Sequence, residues 1–574
     1  MKKVSPSVAK RKLFNALPNF LPFIVTFGHV LLSPYTKVEE SFTLHAVHDV
    51  LAYGWDRTSL QYWDHITFPG AVPRSFLPPI ILGILSYPVS CVGVAVGLVR
   101  TKIDVQIAVR LILAAMFSHS FNHLSKTLRA RFGPTVRIWF TILSLTSFHI
   151  PYYAGRTLPN FMALPGVLLS ISFILRSGSK SAPPSITTKR LRTAVILLTA
   201  LATVVRLELA LFLIPTAISL VIERKATLTQ VVGWGMLGGF GSLALSSPID
   251  YTLWIPTIPH PSLPTFTSPW QVLWPELSAL HYNLLQGQSA NWGVMPWHYY
   301  LTNSLPKILM ISLPLGGAAG VIWVLRMVGI KVGGKEGAKI SEGVGEILKV
   351  FGGGVVCLIG AMSLVGHKEW RFIIYSVPIL QLISSFGAAG LWNFHYSRLR
   401  PLVRLGLVGL VVLNMVATGG LAFVSTNNYP GGEVWKALEK LPRGQNETIK
   451  IHFPSYPLQT GSTLFTFLHQ HFPINATSHI GSFGYSPFPE QKEPIWAYSK
   501  SEDESYSTPE GLWDNGIDYV ITEDWDRFVD LDGRWGIVDK IQGLDGVGRK
   551  GKYGLEVRWG KKLVMLARGH KERS

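Results

Sequence analysis

Eleven mainly apolar runs, joined by short connectors in which Lys and Arg gather, occupy roughly the first three-quarters of this chain. They lie near 13–33, 103–122, 135–150, 158–175, 191–205, 208–222, 229–246, 306–328, 345–366, 371–391 and 402–424. A helix crossing a hydrocarbon layer of roughly 30 Å needs about 20 such residues. Inside that layer only helices and closed barrels satisfy their own backbone groups. Charged residues make up 15% of the chain, against about 25% in a soluble domain. The expected fold class is therefore an all-α polytopic membrane protein of about 11–12 transmembrane helices.

The formal charge of +19 would suggest nucleic acid in a soluble protein. Here the basic residues sit in short loops between apolar runs, the mark of cytosolic connectors, and no nucleic-acid partner is expected. Cys91 and Cys357 both lie in apolar segments, so neither a disulfide framework nor a Cys-based metal site is expected. Lys2, Lys3, Lys10, Arg11 and Lys12 precede the first run, without a small-residue cleavage site. The run reads as a retained signal anchor with its basic end in the cytosol. Residues 34–75 then lie on the far side of the membrane.

The next run, 76–99, is long enough to span, but Pro78, Pro79 and Pro88 divide it into pieces of roughly ten residues. Crossing there would also carry Lys126, Arg129, Arg131 and Arg137 outside. A re-entrant or interfacial pair of short helices is expected instead. The remaining runs then place 152–158, the Arg206-Leu207-Glu208 tip, 247–305 and the His367 to Arg371 turn outside, with 331–339 and 398–404 in the cytosol. Beyond residue 424 no spanning run remains, and Asp518-Tyr519-Val520-Ile521-Thr522 reads as a strand. Sequons at Asn446 and Asn475 agree with a luminal placement. The expected organisation is a transmembrane domain over 1–424 and a small luminal α/β domain over 425–574. Within the first, 34–102 is a luminal loop with juxtamembrane helices and 247–305 a large luminal loop.

Chemistry concentrates on one membrane face. Residues 34–75 hold Glu39 and Glu40, then His45, His48 and Asp49, then Trp63, Asp64 and His65, and finally Arg74. One reading makes Glu39 and Glu40 a solvated pair within an interfacial aromatic belt. The other makes one of them a general base beside Lys37 or Arg74. On the same face lie Arg110, Arg156, Arg206, Glu208, Asp250, His367, Lys368 and Arg371, with Glu369 bracketed by the last three. Singly, such residues are most often interfacial anchors or structural ion pairs. Together, several cations around a few carboxylates suit a lipid-anchored substrate carrying phosphate. Consecutive Glu39 and Glu40 do not converge on one ion, and His45 with His48 is a lone pair at packing distance, so no metal site is expected. GxxxxGK[ST] and GxGxxG loops are absent from the sequence, which disfavours a nucleotide as direct substrate.

Several of these stretches closely resemble glycosyltransferase family 22. They are Pro34-Tyr35-Thr36-Lys37-Val38-Glu39-Glu40-Ser41-Phe42, Asp64-His65 with Phe68-Pro69-Gly70 and Pro73-Arg74-Ser75, Gly155-Arg156-Thr157-Leu158-Pro159-Asn160, Arg206-Leu207-Glu208, and His367-Lys368-Glu369 through Arg371-Phe372. That family comprises dolichyl-phosphate-mannose-dependent mannosyltransferases of the endoplasmic reticulum with a GT-C fold. The Lys-Val-Glu-Glu-Ser-Phe version resembles the branch that makes the α-1,6 addition to the seven-mannose lipid-linked oligosaccharide. Asp250-Tyr251 and the Pro-rich stretch 256–269 depart from the family pattern and put acceptor contacts of that loop in doubt.

The resemblance implies an inverting displacement in the lumen of the endoplasmic reticulum. Its substrates would be dolichyl-phosphate-mannose and a dolichyl-diphosphate-linked oligosaccharide, with no metal or other cofactor. Glu39, with Glu40 close behind, would be the base, oriented toward Arg74 or Lys37. Lys368, Arg371, Arg206 and Arg110 would hold the donor phosphate, and His367 and Glu369 would position them. Asp64, Arg156, Glu208 and Asp250 would support the substrates. The rival readings are a sister mannosyltransferase acting on another branch or on a glycosylphosphatidylinositol precursor, and a lipid-linked sugar transporter. The latter should show paired hydropathy repeats that this sequence lacks.

Overall fold

The computed structural model of the protein describes residues 6–55, 58–178, 183–257, 268, 270–393, 398–441, 448–470, 486–489, 496–528, 533–550 and 554–569. Both sequons, Asn446 and Asn475, and most of the Pro-rich stretch 256–269 lie outside the described residues. The chain begins with α1 (Pro6–Leu32), α2 (Ser41–Tyr53), α3 (Asp64–Thr67), α4 (Leu77–Ala95) and α5 (Lys102–Phe132). It continues through α6 (Pro134–Thr146), α7 (His149–Tyr153), α8 (Pro159–Ser177), α9 (Pro184–Val204), α10 (Leu209–Ile222) and α11 (Leu228–Trp254). Next come α12 (Trp270–Leu273), α13 (Pro275–Leu280), α14 (Leu305–Leu309), α15 (Ser312–Met327), α16 (Gly334–Ile347) and α17 (Gly353–Leu364). A 3₁₀ stretch, Trp370–Ser376, leads into α18 (Val377–Trp392), and α19 (Arg400–Thr426) is followed by α20 (Pro430–Leu438).

Every expected span falls on helix, yet fewer helices are long enough to cross unaided. Among the described residues, seven qualify by length and apolarity, of which one is α4, expected not to cross, and the Tyr300–Leu309 and Ser312–Met327 pair, bent by 109°, adds an eighth. The 13 residues of α6 and the 14 of α10 reach only about 20 Å at 1.5 Å per residue. These two need their neighbours, or a locally thin layer, to serve as spans.

The pair of short helices expected over 76–99 is not found. The segment is one 19-residue helix, α4. Pro78 and Pro79 fall in its first turn, where amide hydrogens have no helical acceptor to lose, and Pro88 removes a single bond without parting the helix. The connectivity nevertheless keeps both ends of this region together. Arg110 Nη1 donates to Ser33 O at 2.5 Å and Gln106 Nε2 to Pro34 O at 2.8 Å, so α5 begins where α1 ends. Residues 33–101 thus leave from and return to the same end of that helix pair.

The chain forms two compact units: 1–29, 69–78 and 113–420 make the first, and 30–68, 79–112 and 421–574 the second. In the first unit, small residues let helices meet backbone to backbone. A Cβ on Gly387 of α18 would stand 2.2 Å from Leu315 O of α15. Asn414 and Thr418 of α19 reach Thr146 O at 2.9 and 2.7 Å, the polar contacts that hold helices together where burial drives little.

In the second unit the C-terminal residues do not stand apart from the first loop. Strands β1 (Ile449–His452), β2 (Trp496–Ser499), β3 (Tyr519–Thr522), β4 (Trp535–Lys550) and β5 (Gly554–Arg568) form one sheet in the order β2-β1-β3-β5-β4. Its first three strands are parallel, and β5 runs antiparallel to both β3 and β4. Val434 and Leu438 of α20 pack with Ile451, Trp496, Ile521 and Leu563 of the sheet. After β2, Lys500 forms a buried ion pair with Asp64, whose other oxygen lies 2.9 Å from His45 Nδ1. Asp49 Oδ2 accepts the Asp64 amide at 2.8 Å.

Burial favours the neutral acid at Asp64, but Lys500 and then His45 outweigh it and hold the carboxyl well below its usual range. Burial and the neighbouring Asp64 charge push Asp49 well up, so the pair is arranged to carry one negative charge against Lys500. Replacing Lys500 by Met leaves that charge buried and unpaired, a loss on the order of 3 kcal/mol. The expected readout is a lowered unfolding midpoint, with most of the loss recovered in the Asp64→Asn, Lys500→Met double variant. A wild-type midpoint for Lys500→Met would rule the clamp out.

Candidate active site

The first unit gathers charge at the breaks between helices. Arg206, Leu207 and Glu208 occupy the turn between α9 and α10, where the chain leaves one apolar helix and starts another. Glu208 Oε1 accepts from Arg206 Nε at 2.8 Å and from Asn160 Nδ2, at the start of α8, at 2.7 Å. Asn160 Nδ2 also lies 3.4 Å from the Tyr375 hydroxyl. Glu276 of α13 accepts the Leu207 amide at 3.0 Å. The Arg206 guanidinium lies 5.4 Å from the centre of the Phe372 ring.

The residue before Phe372, Arg371, donates to Glu369 Oε1 at 2.6 Å, and His367 Nε2 lies 3.2 Å from the same oxygen. Arg74 completes the group, within electrostatic reach of Arg206, Glu276, Arg371 and Glu208. Its backbone is fixed from α11, because Trp254 Nε1 donates to Arg74 O at 2.8 Å and Asp250 Oδ1 accepts the Phe76 amide at 2.7 Å. No hydrogen bond from the Arg74 guanidinium to another described residue is present.

The electrostatics suit an anion. Burial and the nearby Arg206 push the Arg74 guanidinium down to about 10, so it stays charged at neutral pH. Burial alone would lower Arg206, but Glu208 and Glu276 hold it up. Burial pushes Glu276 up to about 6 against the pull of Arg206. Three guanidinium groups thus face carboxylates of which one is partly protonated near neutrality. Bidentate guanidinium donors are well matched to phosphate oxygens.

Of the residues expected from sequence, the structure brings together Arg74, Arg206, Glu208, His367, Glu369 and Arg371. Lys368 stands beside them with its ammonium turned to Met295 O at 2.8 Å and Val365 O at 2.5 Å, which takes two of its three donors. Arg156 is buried with its guanidinium 4.5 Å from the Tyr152 ring centre and Nη2 2.7 Å from the Tyr152 hydroxyl. Asp250 supports the backbone beside Arg74, as described above.

The remaining candidates belong to the second unit. Arg110 is fully buried, and its Nη1 donates to the carbonyls of Ser33 and Tyr35. Lys37 Nζ donates to Asn428 O at 2.8 Å and lies 4.8 Å from the Tyr429 ring centre. Glu40 is 1% exposed, and its Oε1 accepts the Lys37 amide at 3.1 Å while its own amide donates to Lys37 O at 3.0 Å, which fastens the 3₁₀ turn Val38–Glu40. Glu39, in the same turn, is exposed. Asp64 lies in the Lys500 clamp.

Three members of the charged group escape the sequence reading: Glu276, Asn160 and Tyr375. Glu276 carried a usable signal, as the only acidic residue between Tyr251 and Leu305. Asn160 lies inside the Gly155-Arg156-Thr157-Leu158-Pro159-Asn160 motif, but its short amide gives no hint of a partner. Tyr375 looks like any tyrosine of an aromatic belt.

The fold is shared with a solved membrane glycosyltransferase of the GT-C type. ArnT from Cupriavidus metallidurans, solved bound to undecaprenyl phosphate, superposes with a TM-score of 0.54 over 96% of this chain and 98% of that one, at 11% identity. A Drosophila melanogaster protein named Dol-P-Man:Man(7)GlcNAc(2)-PP-Dol alpha-1,6-mannosyltransferase is 30% identical over 448 residues, 78% of this chain and 58% of that protein. A Schizosaccharomyces pombe protein, named as a probable enzyme of the same description, is 28% identical over 501 residues, 87% of this chain and 75% of its own length. The chain thus spans somewhat more than half the fly relative and three-quarters of the yeast one. The pattern of the Alg9-like mannosyltransferase family matches residues 20–465, most of the chain, and the protein belongs to that family.

Proposed function

We infer that this protein is an inverting α-1,6-mannosyltransferase. It moves mannose from dolichyl-phosphate-mannose to the seven-mannose dolichyl-diphosphate-linked oligosaccharide during N-glycan precursor assembly, at a site facing the lumen of the endoplasmic reticulum. The observation that carries this reading is the match, over most of the chain, to relatives bearing that name. The cluster of Arg74, Arg206 and Arg371 supports it, since a departing lipid phosphate needs cations at the point where its charge grows.

In the displacement, the acceptor 6-hydroxyl attacks the mannose anomeric carbon from the face opposite the phosphate. The carbon–oxygen bond to phosphate breaks, and its electron pair leaves with dolichyl phosphate among the arginines. The hydroxyl proton passes to a carboxylate. Glu39 is the better choice, because it is exposed while Glu40 is buried and fastens the turn. Charge neutralisation by arginine leaves no step that requires a metal, and full activity is expected in the presence of a chelator.

Transfer by the purified protein to the seven-mannose acceptor tests the reading. Glu39→Gln is expected to lower kcat by roughly 100- to 10,000-fold. Glu40→Gln keeps an oxygen for the Lys37 amide and is expected to lose less than about tenfold. Transfer only to a glycosylphosphatidylinositol precursor would move the protein to the sister branch, and full activity of Glu39→Gln would refute the carboxylate role.

Glu276 sets a pH dependence for the donor. Below its value of about 6 the group is neutral and one negative charge near the phosphate is gone, so the donor KM should fall from pH 7 to pH 5. Glu276→Gln should show the low KM throughout. A donor KM with the same pH profile in both proteins would contradict the assignment.

A further inference from the structure

A pocket of about 400 Å³ opens in the second unit between the end of α19, α20 and the β4–β5 ribbon. That volume falls in the range of about 300–1,000 Å³ usual for ligand sites. Its wall includes Glu433, Lys436, Lys440, Asp539, Gln542 and Trp559. Trp559 is 50% exposed, a large apolar surface held in water beside polar groups. The ribbon is fixed at this point, because Leu544, paired with Trp559, donates its amide to Asn427 O at 3.2 Å.

The pocket wall carries two carboxylates and three lysines, Lys540 being the third. Lys440 Nζ lies 2.8 Å from Asp539 Oδ2, and Lys436 pairs with Glu433. An anion entering here would meet both carboxylates. A neutral ligand with many hydroxyls would instead find donors and acceptors side by side, with Gln542 offering both. A pyranose has such hydroxyls around its rim and an apolar C–H face that lies flat on an indole. The pocket also adjoins the turn that bears the candidate base. Tyr429 lines it, and Tyr429 is touched by Tyr35 and by Lys37, two residues before Glu39.

We propose that this pocket is a sugar-binding subsite that holds mannose residues of the acceptor oligosaccharide, with Trp559 as its stacking platform. The identity of the glycan rests on the function inferred above. The subsite acts on acceptor binding and leaves the chemical step alone.

Two measurements test it. In transfer assays Trp559→Ala should raise the KM for the seven-mannose lipid-linked acceptor roughly five- to tenfold, with the donor KM unchanged and kcat within about twofold of wild type. Trp559→Phe, which keeps an aromatic face, should restore most of the affinity. An unchanged acceptor KM in Trp559→Ala, where the wild type transfers normally, overturns the proposal and leaves the function intact. The second measurement does not depend on transfer. Saturation-transfer NMR with the lipid-free seven-mannose glycan should show contact to the wild type and a greatly reduced signal with Trp559→Ala. Equal signals overturn the subsite. A wild type that binds the glycan through Trp559 yet does not transfer mannose would refute the function and keep the subsite.

Discussion

An arginine at the end of an apolar helix keeps its charge only if carboxylates and hydrogen-bond acceptors meet it there. The turn between α9 and α10 is built on that requirement. Glu208 takes Arg206 and Asn160 together, and Glu276 takes the Leu207 amide from α13. Around this pair the first unit assembles Arg371 with Glu369, and Arg74 on a backbone held by Asp250 and Trp254. The result is a group of cations fixed in place before any ligand arrives, and preorganised charge of this kind is worth most where phosphate leaves.

The second unit solves the same problem to a different end. Arg110 turns Nη1 to the carbonyls of Ser33 and Tyr35, and Lys102 donates to Phe467 O and Gln470 Oε1. Lys500 is taken by Asp64. These contacts tie chain segments far apart in sequence. What the unit offers to chemistry is a short turn that leaves Glu39 exposed, and the tryptophan-bearing pocket nearby.

The difference between these two uses explains what the sequence could reveal. Apolar runs and basic connectors place the helices, since hydropathy and helix length are local properties. The continuity of α4 is hidden in the sequence because prolines in a first turn break nothing, and position within a helix is hard to see before its start is known. Arg206, Glu208, Glu369 and Arg371 were legible as ionisable residues crowded at span ends. Arg110 looked the same in sequence, and only the fold reveals that its Nη1 braces the carbonyls of Ser33 and Tyr35. Asp64 likewise could not be sorted from the substrate residues, because its partner Lys500 lies more than four hundred positions away. Glu276 needed the loop to fold back on the Arg206 turn.

Arg74 gives the most direct test of the phosphate site. Its side chain makes no hydrogen bond to another described residue, so removing its charge should not disturb the fold. The decisive measurement is the affinity of purified wild type and Arg74→Gln for dolichyl phosphate, the leaving group without its sugar, with the unfolding midpoint recorded alongside. The affinity is expected to be about tenfold weaker in the variant at an unchanged midpoint. Equal affinities for the phosphate lipid would contradict the phosphate site.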